Sequence, residues 1–404
     1  MFGRASVFLV IGFSSILLMY TYNLFTFSSS SVDVYTLYYN NTVAENITTS
    51  AANIACNQFF LNPAWIPSDS NFSYSGGIFR TSIVNLANNR KKIIATGAYN
   101  GITKTVEVVL QPSSFARFGY YGAIMPGNLY YVTGDTVSGP MHIQGKLNVS
   151  GRPVFTGKVT TKNGIKKLNA SANPQFLGGY ESGVDLPLPS TINTVSADAS
   201  SGGKFFSNKD VWLTFNANGS VDYKVGSSGT WKNEMLSTFA PNGVISVDKG
   251  NLHVKGTLKG KITLGATLSS GTSNGNIFLD DNIVYSTDPT SSSCTDMLGI
   301  VATNNVIITD NAANKSNIII NASIFSLKGG LEAQNYSSIP YCGSIQLTGG
   351  LIEYQAQATG VFNPYTGKVT NGFNTNIHYD ERLMTQVPPS FPKSASYEVL
   401  SWLE

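Results

Sequence analysis

Hydrophobic positions divide this chain into three textures. From Ala5 to Phe27 every residue is uncharged and most are apolar. At helical rise that stretch covers about 35 Å, enough to cross the hydrocarbon core of a bilayer. No proline interrupts the chain before Pro63, and beyond the apolar run Val34, Leu37, Tyr38, Ala44, Ile47, Ala51, Ile54, Ala55 and Phe59 recur at three- and four-residue steps. The pattern predicts one helical rod over residues 5–62, about 85 Å long. Its first half suits lipid and its second half carries a packing seam into water. A cleaved signal peptide would have a shorter apolar core and a small-residue cleavage pattern, whereas this run exits through Phe25-Thr26-Phe27-Ser28-Ser29-Ser30. A plain membrane anchor and a helix that also packs in an assembly both fit.

The second texture is strand-like. Gly77–Val84, Lys92–Gly97 and Thr103–Leu110 are separated by Asn88-Asn89 and Asn100-Gly101, the signature of an antiparallel meander over residues 63–115. So small a sheet is not stable alone, and the rod's seam is the surface on which it packs. From about Phe118 the third texture begins. Short apolar runs recur between Gly, Asn and Asp: Met141-His142-Ile143, Leu147-Asn148-Val149, Leu252-His253-Val254, Ile262-Thr263-Leu264, Val306-Ile307-Ile308, Ile318-Ile319-Ile320. Strands so short and numerous fit a β-solenoid, in which each coil buries its apolar positions on the next and asparagines stack at the turns. A β-sandwich gives similar alternation.

The fold class expected is therefore α+β, mainly β. Its parts are a helix over 1–62, a small antiparallel sheet over 63–115, and a parallel β-helix-like head over 116–165 and 244–378. An inserted lobe over 166–243 is expected to have its own aromatic core (Phe205, Phe206, Trp212, Phe215, Trp231), entered through a Leu186-Pro187-Leu188-Pro189 strap. A tail over 379–404, with Tyr397 and Trp402 as anchors, is expected to fold back and cap the head.

Composition places the bulk of the chain outside the cytoplasm. Charged residues are 12% of the chain and the net charge is +3, too small to imply nucleic acid, and Arg90-Lys91-Lys92 reads as a solvated turn. Arg4 is the one charged side chain before the apolar span, so the positive-inside tendency leaves the remainder on the far side. There are three cysteines. A Cys294–Cys342 disulfide is allowed in an oxidising compartment, with two free buried thiols as the alternative, and Cys56 belongs in the helix seam.

Little in the chain suggests catalysis. Asp280-Asp281 is followed by Asn282, which favours a turn over paired catalytic carboxylates or a weak Ca²⁺ site, and His142, His253 and His378 have no metal-ligand spacing. No cofactor is implied. Sequons at Asn40, Asn46, Asn71, Asn148, Asn169, Asn218, Asn314, Asn321 and Asn335 read as compositional in a chain so rich in Asn, Ser and Thr.

The start, Gly3-Arg4-Ala5-Ser6-Val7-Phe8-Leu9-Val10-Ile11-Gly12-Phe13, resembles the N-terminus of bacterial type IV pilin-like proteins, particularly the PilX-type minor pilins. Ile93–Gly101 and Thr105–Leu110 are similar to the sheet signature that follows the helix in that family. Thr133–His142, Gly151–Val159, Tyr379–Leu383 and Ser401–Glu404 look like a family of pilin-like bacterial surface proteins known as DUF4900. The resemblance implies a non-enzymatic subunit whose helix is both membrane anchor and filament spine. Phe8, Gly12, Ser15, Leu37, Ile47 and Ile54 are then helix-packing positions against other pilin-like subunits, and Gly3-Arg4 is the processing site. It also implies anchoring in the inner membrane before assembly, display at the cell surface or in an extracellular filament, and a head that contacts a surface or polysaccharide. One position departs from the family. After a cut behind Gly3 the fifth residue is Phe8, where pilins carry the Glu that pairs with a neighbour's amino terminus. Pilin-like subunits at a filament tip lack that Glu. A stand-alone anchored adhesin and a carbohydrate-active β-helix enzyme are the alternative readings.

Overall fold

The computed structural model describes residues 2–131, 133, 135–362 and 369–404. The chain forms two compact units: the first runs to Pro112 and resumes at Ser396–Glu404, and the second is Ser113–Ala395. The first unit is built on helix α1 (Phe2–Leu61), unbroken as the sequence predicts. It stops at the expected proline, where Asn62 Oδ1 accepts the Ala64 N–H at 3.0 Å. Strands β1 (Phe72–Tyr74), β2 (Gly77–Asn85), β3 (Lys91–Tyr99) and β4 (Ile102–Ser114) form the antiparallel meander. Asn100 and Gly101 both have positive φ, at 45° and 82°, the backbone that a two-residue hairpin turn demands.

The tail departs from expectation. Residues Lys393–Leu403 form a fifth strand beside β4, and Tyr397 packs edge-on to Phe59 of α1, ring centroids 4.9 Å apart. A free strand edge offers more unpaired backbone partners than a coil end does, and the pairing places Tyr397 and Trp402 in the helix–sheet core rather than on the head.

The second unit is mainly a stack of parallel strands joined coil to coil, with antiparallel hairpins only at residues 211–235 and 360–379 among the described residues. Along one face Ile300, Ile324, Leu351, Tyr120, Met141, Val159 and Tyr180 are successive inward rungs. The order of those numbers describes the topology. The chain climbs through coils at 120–124, 141–143, 159–161 and 180–182, returns along the outside, and starts again at 204–207. It then climbs through 244–248, 261–267, 297–302 and 318–326 to meet its own first coil at 350–355. Two further faces repeat the pattern, one through Leu252, Ile277, Val306 and Leu331 and one through Ile283, Ile320 and Leu347.

The return segment explains residues 166–243 differently from a separate lobe. Helix α2 (Asn193–Gly202) packs on strands 244–248 and 261–267. Ile192, Val195 and Ala199 join Leu186 and Leu188 of the strap in one outer apolar layer, in which Phe115 and Phe391 lie against Phe325 of the outward ladder Val301–Phe325–Ile352. Tyr121 Oη donates to Leu186 O at 2.8 Å and Leu186 N–H to Gln144 Oε1 at 2.9 Å. Phe215, Val221, Tyr223, Leu236 and Phe239 then join the solenoid's own interior instead of forming a core apart from it.

Asparagines do stack at one corner. Asp210 Oδ1 accepts Asn251 N–H (2.8 Å), Asn251 Oδ1 accepts Asn276 N–H (3.1 Å), Asn276 Oδ1 accepts Asn305 N–H (3.0 Å), and Asn305 Oδ1 accepts Gly330 N–H (3.1 Å). Each amide satisfies the backbone of the next turn, where strand pairing has lapsed. Replacing Asn276 with Ala strands the Asn305 N–H and is expected to cost about 1–3 kcal/mol. A urea midpoint that falls with an unchanged slope would register it.

Candidate functional site

Helix α1 has two environments. Its upper part is covered by the sheet of its own unit: Ala51, Ala52, Ala55, Cys56 and Phe59 pack on Ile93, Ala95, Val106, Val108 and Leu110. The run of alanines lets the backbones come close, and Gly97 completes the approach. A Cβ built on Gly97 would lie 2.4 Å from Thr48 Oγ1 and 3.0 Å from the Thr48 backbone nitrogen. Thr48 itself is fully buried, its hydroxyl donating to Ala44 O at 2.7 Å. Burial pushes the Cys56 thiol up to about 11, so it is a protonated packing group rather than a nucleophile.

The lower part carries no such cover. Every side chain described from Ser6 to Tyr39 is exposed, among them Val7, Phe8, Leu9, Val10, Ile11, Phe13, Ile16, Leu17, Leu18 and Met19. Four of its hydroxyl groups turn back to the helix backbone. Ser15 Oγ donates to Ile11 O (2.9 Å), Thr21 Oγ1 to Leu17 O (2.9 Å), Thr26 Oγ1 to Asn23 O (2.9 Å) and Ser31 Oγ to Phe27 O (2.8 Å). Such back-bonding removes the donors that would otherwise be stranded in hydrocarbon. Among the described residues this is the one helix long and apolar enough to cross a membrane. Tyr35, Tyr38 and Tyr39 follow the apolar run, also exposed, in the kind of ring belt found where a span leaves lipid.

The six expected packing positions separate accordingly. Phe8 (74% exposed), Leu37 (58%) and Ile54 (43%) are free, and Ser15 is exposed with its hydroxyl turned to the helix. Gly12 has open space around it, with nothing within 4 Å of a Cβ built there. Ile47 is different: at 1% exposure it packs inside its own unit, its Cδ1 2.7 Å from the Cβ that Gly77 lacks. It is therefore occupied before any partner arrives. The three- and four-residue steps put Ile47 and Ile54 on one stripe, but the sheet covers a face centred on the alanines and leaves Ile54 outside it. Gly3 and Arg4 lie in the helix's first turn.

Elsewhere the expected chemistry is dispersed. Cys294 and Cys342 are both buried free thiols. The strand Ile318–Ser326 lies between the coil that follows Cys294 and the strand bearing Cys342. Asp280 and Asp281 sit where the strand Ile277–Tyr285 shifts register rather than in a turn between strands. Asp280 faces His253 Nδ1 at 3.1 Å, while Asp281 Oδ1 accepts the N–H of Asn282. His253 is sandwiched between Trp212 and Phe278, each centroid 4.6 Å away. These rings spend their faces on one another. No cluster of three or more His, Cys, Asp or Glu suited to a metal occurs among the described residues. A cleft of about 350 Å³ is lined by Asn276, Asn304, Asn305, Lys328 and Gln357, two of whose amides already serve the corner ladder. Three sequon asparagines, Asn148, Asn314 and Asn321, are buried, and the amide nitrogens of Asn148 and Asn314 donate to backbone carbonyls. Those positions are structural.

The Gly97–Thr48 approach was not legible in the sequence, although an unbranched gap inside the β-rich run Ile93–Tyr99 was its signal. Gly97→Val is expected to cost about 1–3 kcal/mol, because helix backbone cannot yield to it. Gly12→Ala should leave the isolated chain's stability intact, and thermal melts of the two variants in detergent make the comparison.

No protein-family model matches the chain, and no curated protein is similar to it. Among solved structures it is similar to the competence-associated pilin ComZ from Thermus thermophilus, with a TM-score of 0.39, 10% identity, and 90% of this chain and 97% of that chain covered. A likeness of that size carries no functional argument.

Proposed function

We propose that this chain is a non-enzymatic, pilin-like subunit held in a bilayer by the lower part of α1, with its β-rich units displayed outside the cytoplasm. The observation that carries this reading is the division of α1. One part is covered by its own sheet, and the other is a bare apolar rod whose Ser15, Thr21, Thr26 and Ser31 hydroxyls turn back to the helix. Water is a poor solvent for such a rod, whereas lipid and the rods of neighbouring subunits are both good ones. In lipid the rod waits with its backbone satisfied. On assembly it exchanges acyl-chain contacts for helix–helix contacts, and Gly12 and Ser15 allow close approach. The exposed Phe8, Leu37 and Ile54 extend that surface. The resemblance of Gly3–Phe13 to pilin-like N-termini supports the same reading, and the uncharged Phe8 favours a place at a filament tip. An adhesive head on a plain anchor is the other outcome the tests below allow.

Three tests bear on this, the first on the anchor that both readings share and the others on the choice between them. Leu17→Lys places a charge at mid-span, a cost of about 3 kcal/mol for insertion, and should move the chain out of the membrane fraction. Retention there would remove the anchor. Mass spectrometry of the native N-terminus should find a chain beginning at Arg4, and electron microscopy of the sheared surface fraction should find it on filaments. An intact Met1 with no filaments would leave only the anchored adhesin. Gly12→Leu should fold normally yet be lost from sheared filaments, since the added side chain obstructs only an intermolecular approach.

A further inference from the structure

The solenoid's coils are continuous in space but not along the chain. Where residues 350–355 pair with Tyr120–Ile124, the last coil of the later segment meets the first coil of the earlier one. A carboxylate points inward at this seam. Glu353 is 3% exposed, its Oε1 accepting from Tyr120 Oη at 2.7 Å across the seam and its Oε2 from the Leu331 N–H at 3.2 Å in the coil below. The groups facing it are few. Tyr120 and Tyr131 come from the upper stack, their rings 6.0 Å apart, and Asp135 acts on Tyr131 from beyond it. No helix terminus or cation is among the groups acting on Glu353, so its ionised form rests on two hydrogen bonds in an apolar interior.

We propose that Glu353 is a proton-operated latch between the two stacks: protonated, it lets the seam close over an uncharged interior, and ionised, it favours an opening in which coils 120–182 part from residues 350–355. Burial pushes the Glu353 carboxyl up to about 7, against 4.5 for the ordinary group, with the Tyr120 and Leu331 hydrogen bonds opposing the shift. The direction of the linkage follows from that rise. An open seam returns the carboxyl to its ordinary range, so opening costs most at low pH. It becomes progressively easier as pH rises from about 4.5 to about 7, and is level above that.

Hydrogen exchange on the full chain in detergent, corrected for the intrinsic pH dependence of amide exchange, tests this. Seam opening reported by amides of 120–124 and 141–143 should rise by about tenfold per pH unit between about pH 5 and 7, while amides of 261–267 and 297–302 stay flat. Glu353→Gln can donate to Tyr120 Oη and accept from Leu331, so it should keep the seam closed and abolish the pH dependence. Tyr120→Phe removes the bond that eases ionisation and should extend the rise above pH 7. A wild-type seam with no such rise, or a rise shared equally by both stacks, would overturn the proposal, as would an unchanged profile in Glu353→Gln. The wild-type profile decides the matter even if a variant does not fold.

Discussion

A single coil of this head cannot bury its own apolar side chains. Each turn contributes one or two inward residues per face, and these find an apolar surface only on the coil above and the coil below. The ladder from Ile300 through Leu351 and Tyr120 to Tyr180 is the result of that constraint. It accounts for the parallel sense of the strands, for the asparagines that satisfy backbone at the corner, and for the second layer outside. Where a ladder's outward side is also apolar, as at Val301, Phe325 and Ile352, something must cover it: Phe115 and Phe391 lie against Phe325, and the strap with α2 extends the same layer. A connection needed for topology thus also serves as a wall.

The same reasoning, applied to α1, has two solutions on one helix. Its upper face is buried by a sheet that is too small to stand without it, and the alanines with Gly97 set the distance between them. Its lower part is left exposed by the chain and has met part of the polar problem, returning the Ser15, Thr21, Thr26 and Ser31 hydroxyls to the helix backbone. The apolar half is left for lipid or for another rod. Function in this reading resides in that unfinished burial. The rest of the chain adds bulk and a polar exterior whose rings and carboxylates are occupied by one another, as the Trp212–His253–Phe278 stack and the Asp280 contacts show.

Some features follow from local pattern alone. An unbroken helix ending at Pro63, a meander with an Asn100-Gly101 turn, and many short strands bounded by Gly, Asn and Asp depend on neighbours within a few residues. Periodicity and turn chemistry report them directly. What the sequence could not disclose are pairings between distant residues. Ile47 and Ile54 have the same local character, yet a sheet formed 40 residues later buries one and not the other. Cys294 and Cys342 are alike in type and burial, and both remain free thiols. The return of the chain at residues 183–203, the docking of Lys393–Leu403 beside β4, and the meeting of Glu353 with Tyr120 are decisions of the same kind. Each joins segments whose local signals are complete in themselves, and long-range burial alone selects which edges and faces meet.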